Sequence, residues 1–140
     1  MEKLQKIVVA GVIANKGKFL VVKRSASEKI LPNKWELPSG KVEFEEDPNN
    51  ALIREIEEEI NITPEKFIPI KITDYTLGNK HKKKHTVQII FLIKSSDNKI
   101  KLSSEHDEYR WIDIEELNNL NTFDDMQEIL LCAQKNLNNL

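Results

Sequence analysis

Two apolar runs open the chain, residues 7–14 and 19–22, split by Asn15-Lys16-Gly17-Lys18. Short β-prone runs on either side of a glycine-containing turn predict a β-hairpin. A third segment, Trp35-Glu36-Leu37, is cut off by Pro38 and Gly40, two residues that constrain a chain reversal. Residues 67–72 and 86–94 read as further strands. The second is apolar at Val87 and from Ile89 to Ile93 and is expected as a buried central strand. Residues 80–85 between them are read as a basic hairpin loop. A polar loop over 95–99 leads to Ile100-Lys101-Leu102, then 103–108, then a strand over 109–112.

Helical spacing takes over in two places. Leu52, Ile53, Ile56 and Ile60 share a face of a helix predicted from Pro48 to about Ile60. Asp47 is placed as its N-cap, Pro48 at the first helical position, and Asn61 as a left-handed C-terminal cap. The last helix is expected to open at Thr122 with Asp125, and to bury Phe123, Met126, Ile129, Leu130 and Ala133. Asp113 caps a short helical turn over 115–117. Strands, helix, strands, helix is the order of an α+β domain with a mixed β-sheet between helices. One domain accounts for residues 1–140, without repeats or linkers.

The other side of the first helix carries the chemistry. Glu55, Glu58 and Glu59 stand at i, i+3 and i+4 and project from one face. Like charges at these spacings repel by roughly 0.2–0.5 kcal/mol a pair. The C-terminal half of a helix also disfavours negative charge by about 0.3–1 kcal/mol each. A solvated charged face is the ordinary explanation of such a run. Against it, residues 41–59 hold eight acids and two bases, whereas the whole chain has a net charge of only −2. A divalent cation would reverse the sign of both penalties.

Gly40, Glu46, Arg54-Glu55-Ile56, Glu58-Glu59 and Ile62 fall at the spacing G-x5-E-x7-R-E-U-x-E-E-x-G-U, with U aliphatic. Residues 40–62 therefore resemble the Nudix box, with Asn61 in place of the late glycine. The preceding Trp35–Glu43 stretch, WELPSGKVE, resembles that family's lead-in, with Ser39 replacing its first glycine. The resemblance implies an α/β/α sandwich and hydrolysis of a nucleoside diphosphate linked to another moiety. Oxygen-only ligands select a hard cation, Mg2+ first with Mn2+ as substitute. The expected metal ligands are Glu55, Glu58 and Glu59, with the Ser39 carbonyl added by resemblance. Glu55 is also a candidate general base. Arg54 is expected to pair with Glu46 and hold loop against helix, with phosphate contact as the alternative; Glu57 is given no role. Relatives often carry one more glutamate from a later loop, for which Glu105 ranks ahead of Glu108. Glu55, Glu58, Arg54 and Glu105 are thus the expected catalytic set. Lys23 and Arg24 are candidates for substrate phosphates and Tyr75 for stacking on a base. His106 is read as an ordinary loop residue, and Trp35 and Trp111 as core or pocket-wall aromatics.

A near-neutral chain gives no bulk electrostatic reason to bind nucleic acid. Cys132 is the single cysteine, which excludes a disulfide framework or a cysteine metal site and fits a reducing cytoplasm. Lys3 and Lys6 before residues 7–14 imitate a secretion signal, but the second apolar run makes a hairpin the better reading. No run approaches the roughly 18 apolar residues of a membrane span. The expected partner is a small nucleotide, and a homodimer is possible on the family's precedent. A MutT-like nucleoside triphosphate pyrophosphohydrolase, acting on oxidised or other non-standard nucleotides, leads the readings. Next come a dinucleoside polyphosphate hydrolase, suggested by Glu105–Trp111, and an ADP-ribose or nucleotide-sugar hydrolase. The segment after the box lacks the tyrosine typical of the former and the proline typical of ADP-ribose hydrolases. A catalytically silent nucleotide-binding regulator and an acidic protein-docking module are the alternatives of another class.

Overall fold

Among the described residues, seven strands and two α-helices follow in the order β1 (Glu2–Asn15), β2 (Lys18–Arg24), β3 (Trp35–Glu36), β4 (Ser39–Lys41), α1 (Pro48–Ile60), β5 (Lys66–Gly78), β6 (Lys82–Lys94), β7 (His106–Ile112) and α2 (Met126–Asn136). This computed structural model describes residues 1–96 and 99–140; Asp97 and Asn98, in the polar loop expected over 95–99, lie outside the described residues. One sheet runs β3-β2-β1-β6-β5, with β4 added to β1 and β7 to β2. β1 and β6 are parallel from Glu2↔Lys82 to Ala14↔Lys94, and the other pairs are antiparallel, so the sheet is mixed.

Period-two alternation sorts the sheet into two cores. Val9, Ile13, Leu20, Val22, Phe91 and Ile93 pack with Leu52, Ile56 and Ile60 of α1. Their neighbours Ala10, Val12, Phe19, Val21, Ile90 and Leu92 pack with Met126, Ile129, Leu130 and Ala133 of α2. Each helix thus covers one face, the layered α+β arrangement expected. A β-carbon on Gly11 would stand 2.7 Å from the Ile93 Cδ1 and 3.0 Å from the Ile56 Cδ1. The missing side chain lets α1 lie close on the sheet.

Several boundaries differ from the sequence reading, among them β1, which begins at Glu2 rather than Ile7, and β5, which runs to Gly78 beyond the expected 67–72. β6 begins at Lys82, so residues 82–85 of the expected basic loop are strand. The turn is short because the Asn79 side-chain oxygen accepts from the His81 and Lys82 amides. β7 begins at His106 rather than Tyr109, drawn out by pairing with β2. α2 begins at Met126 rather than Thr122, and Asp125 at its N-cap makes no side-chain capping bond. The short turn after Asp113 is longer than expected, a 3-10 helix over Ile114–Asn119. Among the described residues no helix is long and apolar enough to cross a membrane.

Candidate active site

α1 forms as its sequence dictates. The Asp47 carboxylate accepts from the amides of Asn49 at 2.7 Å and Asn50 at 3.3 Å, and Asn61 closes the helix at φ 61° with its amide on the Glu57 carbonyl. The apolar side docks on the sheet as expected, and the three acids of the other side do not share one environment. Glu55 and Glu59 are buried, while Glu58 is exposed. Glu55 is buried because β4 passes beneath it: a β-carbon on Gly40 would collide with its carboxylate. That glycine is therefore needed for the approach of strand to helix.

Arg54 neutralises this cluster. Its Nε and Nη2 grip the two oxygens of Glu46, each at 2.9 Å, and Nη2 also donates to the Lys41 carbonyl at 3.0 Å. Nη1 reaches Glu55 at 2.7 Å and Glu58 at 3.4 Å. The expected pairing of loop with helix is thus present in fork-to-fork form. The Arg54 bond, then the Glu43 amide, hold the Glu46 carboxyl down at about 2. Glu46 and Glu55 in turn raise the Arg54 pKa against its partial burial. Glu55 moves the other way: burial raises its pKa, Glu58 and Glu59 add to that, and Arg54 opposes it.

Glu59 faces away from Arg54, toward β7. Its Oε2 lies 3.1 Å from the His106 Nδ1 and accepts from the Ser103 hydroxyl at 3.1 Å. The His106 Nε2 lies 2.9 Å from Glu36 at the end of β3. His106 is only 3% exposed in its side chain. The reading of His106 as an ordinary loop residue is therefore corrected: it is a buried strand residue between two carboxylates. Burial disfavours its charge, but the Glu36 hydrogen bond and the attraction of both carboxylates prevail and raise its pKa to about 9. Its Nδ1 faces Glu59 off-line for a hydrogen bond and has no hydrogen-bond partner among the described residues. No local signal exposes this role, because residues 36, 59 and 106 meet only through sheet registry.

Glu105 sits close enough to Glu59 for their charges to interact; burial and the Glu59 charge both raise the Glu105 pKa. For Glu59, burial is outweighed by His106, so its pKa falls. Glu108 is elsewhere, paired with Lys23 at 3.5 Å and Arg110 at 3.3 Å. Lys23 is consequently engaged on β7. Arg24 points into a cleft of about 400 Å³ on the α2 side of the sheet, as do Glu36, Ser39 and Tyr75. Apolar walls come from Leu37, Phe123, Met126 and Ile129. Trp35 is buried under the Arg110 guanidinium, 4.9 Å from its ring centroid, so it serves as core.

Among the described residues no three carboxylate, imidazole or thiol groups converge as they stand on a common metal position. Arg54 occupies the space between Glu55 and Glu58, and Glu59 is held by His106. The donor set nevertheless suits a hard cation, being all oxygen. Glu58 is 59% exposed and tied to Arg54 only at 3.4 Å, so little resists its swinging toward an ion. The buried Glu55 carboxyl, uncomfortable beside two other acids, would be relieved by one.

The sequence profile of the NUDIX domain matches residues 3–132. An 8-oxo-dGTP diphosphatase of Escherichia coli strain K12 is 36% identical over 81 residues, 58% of this chain and 61% of that protein. The match thus spans about three fifths of that enzyme. A nucleoside triphosphatase NudI of Klebsiella pneumoniae strain 342 is 31% identical over 125 residues, 82% of this chain and 86% of its own. The crystal structure of a MutT protein from Methanosarcina mazei Go1 superposes with a TM-score of 0.76 at 28% identity, covering 98% of each chain.

Proposed function

The chain belongs to the NUDIX family, and on that premise we propose that it is a pyrophosphohydrolase of nucleoside triphosphates that depends on Mg2+, with Mn2+ as substitute. The observation that carries the reading is the Glu55 carboxylate buried over Gly40 and flanked by Glu58, Glu59 and Arg54, on a sheet whose opposite face holds an apolar cleft. Relatives named as an 8-oxo-dGTP diphosphatase and a nucleoside triphosphatase support the substrate class. Oxidised or otherwise non-standard nucleotides are the first candidates within it.

Glu55, Glu58 and Glu59, with the Ser39 carbonyl, would hold the ion. Bound there, it supplies charge neutralisation on the pyrophosphate and a more acidic water. The protein's own groups orient the rest. Arg54 fixes Glu55 and the loop at Glu46, and Glu55 is the first candidate to accept a proton from water. Glu105, whose carboxyl interacts with that of Glu59, is the second candidate for that proton. Arg24 lines the cleft, where phosphate oxygens would take the place of its Glu28 and Glu36 contacts, and Phe123, Leu37 and Tyr75 are available to the base. Lys23, engaged with Glu108, is a weaker candidate for phosphate.

The test is a product-identified screen of purified protein with Mg2+ against nucleoside triphosphates, dinucleoside polyphosphates and nucleotide sugars. Monophosphate plus pyrophosphate from a triphosphate is the expected outcome. Preferred cleavage of a dinucleoside polyphosphate would reassign the substrate. Tight nucleotide binding without turnover of any compound would remove the enzymatic reading.

A further inference from the structure

The two faces of the sheet are bridged by one buried chain of charged side chains. Arg24 and Glu36 line the cleft on the α2 side. The Arg24 Nη1 reaches Glu36 at 3.4 Å, while its Nε donates to the Ile30 carbonyl at 3.0 Å. Glu36 in turn lies 2.9 Å from the His106 Nε2, and the His106 Nδ1 lies 3.1 Å from Glu59 on the α1 side. The side chains of Glu36, His106 and Glu59 are 16%, 3% and 8% exposed. Water therefore screens these contacts little, and a change at one end is felt at the other.

We propose that His106 is a positioning residue through which occupancy of the nucleotide cleft sets the readiness of Glu59 for a divalent cation. This rests on the nucleotide reading of the cleft given above. The direction follows from competition for one imidazole. With the cleft empty, Glu36 shares its charge between Arg24 and His106, and His106 is left to hold the Glu59 carboxylate. A phosphate that draws Arg24 away leaves Glu36 relying on His106. The imidazole is then pulled toward Glu36, and the Glu59 oxygens are released toward α1 and its neighbours. Nucleotide and cation accordingly bind with positive cooperativity beyond what direct phosphate–metal contact provides.

Calorimetric Mn2+ titrations, with and without a non-hydrolysable nucleoside triphosphate, test this. The quantity read is the factor by which nucleotide tightens Mn2+. Direct phosphate–metal contact contributes to that factor in every variant, so the comparison between variants isolates the His106 path. Glu36→Gln keeps a hydrogen-bond acceptor beside His106 but removes the charge that competes for it. The expected result is a coupling factor at least about fivefold smaller in Glu36→Gln and His106→Asn than in the wild type. Thermal unfolding checks that each variant is folded, and Glu36→Gln carries the test should His106→Asn not fold. An equal factor in the wild type and a folded variant would overturn the coupling while leaving the hydrolase reading intact. Failure of the wild type to bind any nucleotide would overturn both.

Discussion

The Glu55 carboxylate stands where a β-carbon on Gly40 would have to be. Strand β4 and helix α1 can approach closely only because residue 40 has no side chain. Gly40→Ala should therefore displace Glu55 or β4 without unravelling either core, since both cores lie outside this contact. Turnover is expected to fall about a hundredfold, the scale set by small misplacements of reacting groups. Steady-state kinetics beside circular dichroism check this; unchanged kcat would show that Glu55 needs no such seat.

Arg54 is the counter-charge of the box when no cation is bound. Arg54→Ala should lower the melting temperature most in the absence of divalent ions, where Glu46, Glu55 and Glu58 lose their shared partner. Saturating Mg2+ should recover part of the loss by neutralising the same acids. Arg54→Lys should recover little, because a single ammonium cannot grip both oxygens of Glu46. Scanning calorimetry with and without Mg2+ distinguishes these outcomes.

Glu58 and Glu59 should separate in their effects on stability. Glu58→Gln alters an exposed side chain and should abolish turnover by several orders of magnitude with little change in melting temperature. Glu59→Gln should lose activity to a similar degree and also destabilise the fold, because His106 then retains only Glu36. Wild-type turnover by either variant would remove it from the metal set.

Stability of the metal-free protein should decline on the alkaline side. His106 has its pKa raised from 6.5 to about 9, so its contribution is complete below about 6.5 and is lost as pH rises through 9. The shift corresponds to on the order of 3 kcal/mol at most for a group this deeply buried. Glu46 gives the opposite slope in acid: its pKa is lowered from 4.5 to about 2, and its contribution vanishes as pH falls across that interval. Urea unfolding at a series of pH values should show His106→Gln flattening the alkaline limb alone.

Local physics made much of this protein legible from its sequence. The bounds of α1, its Asp47 and Asn61 caps and the Arg54–Glu46 pairing depend on residues near in sequence. Such features follow from backbone geometry and side-chain period, which a single segment already contains. The starts of β6, β7 and α2 differ from the sequence reading because pairing and packing partners, not propensity, set those boundaries. Tertiary structure decided that Glu105, already ranked ahead of Glu108, sits beside Glu59, that Arg24 rather than Lys23 lines the cleft, and that His106 is buried between Glu36 and Glu59. Residues 36, 59 and 106 are brought together by β2 pairing with both β3 and β7, with α1 laid over the sheet. Registry between distant strands is a property of the assembled fold, so no pattern within a segment announces it.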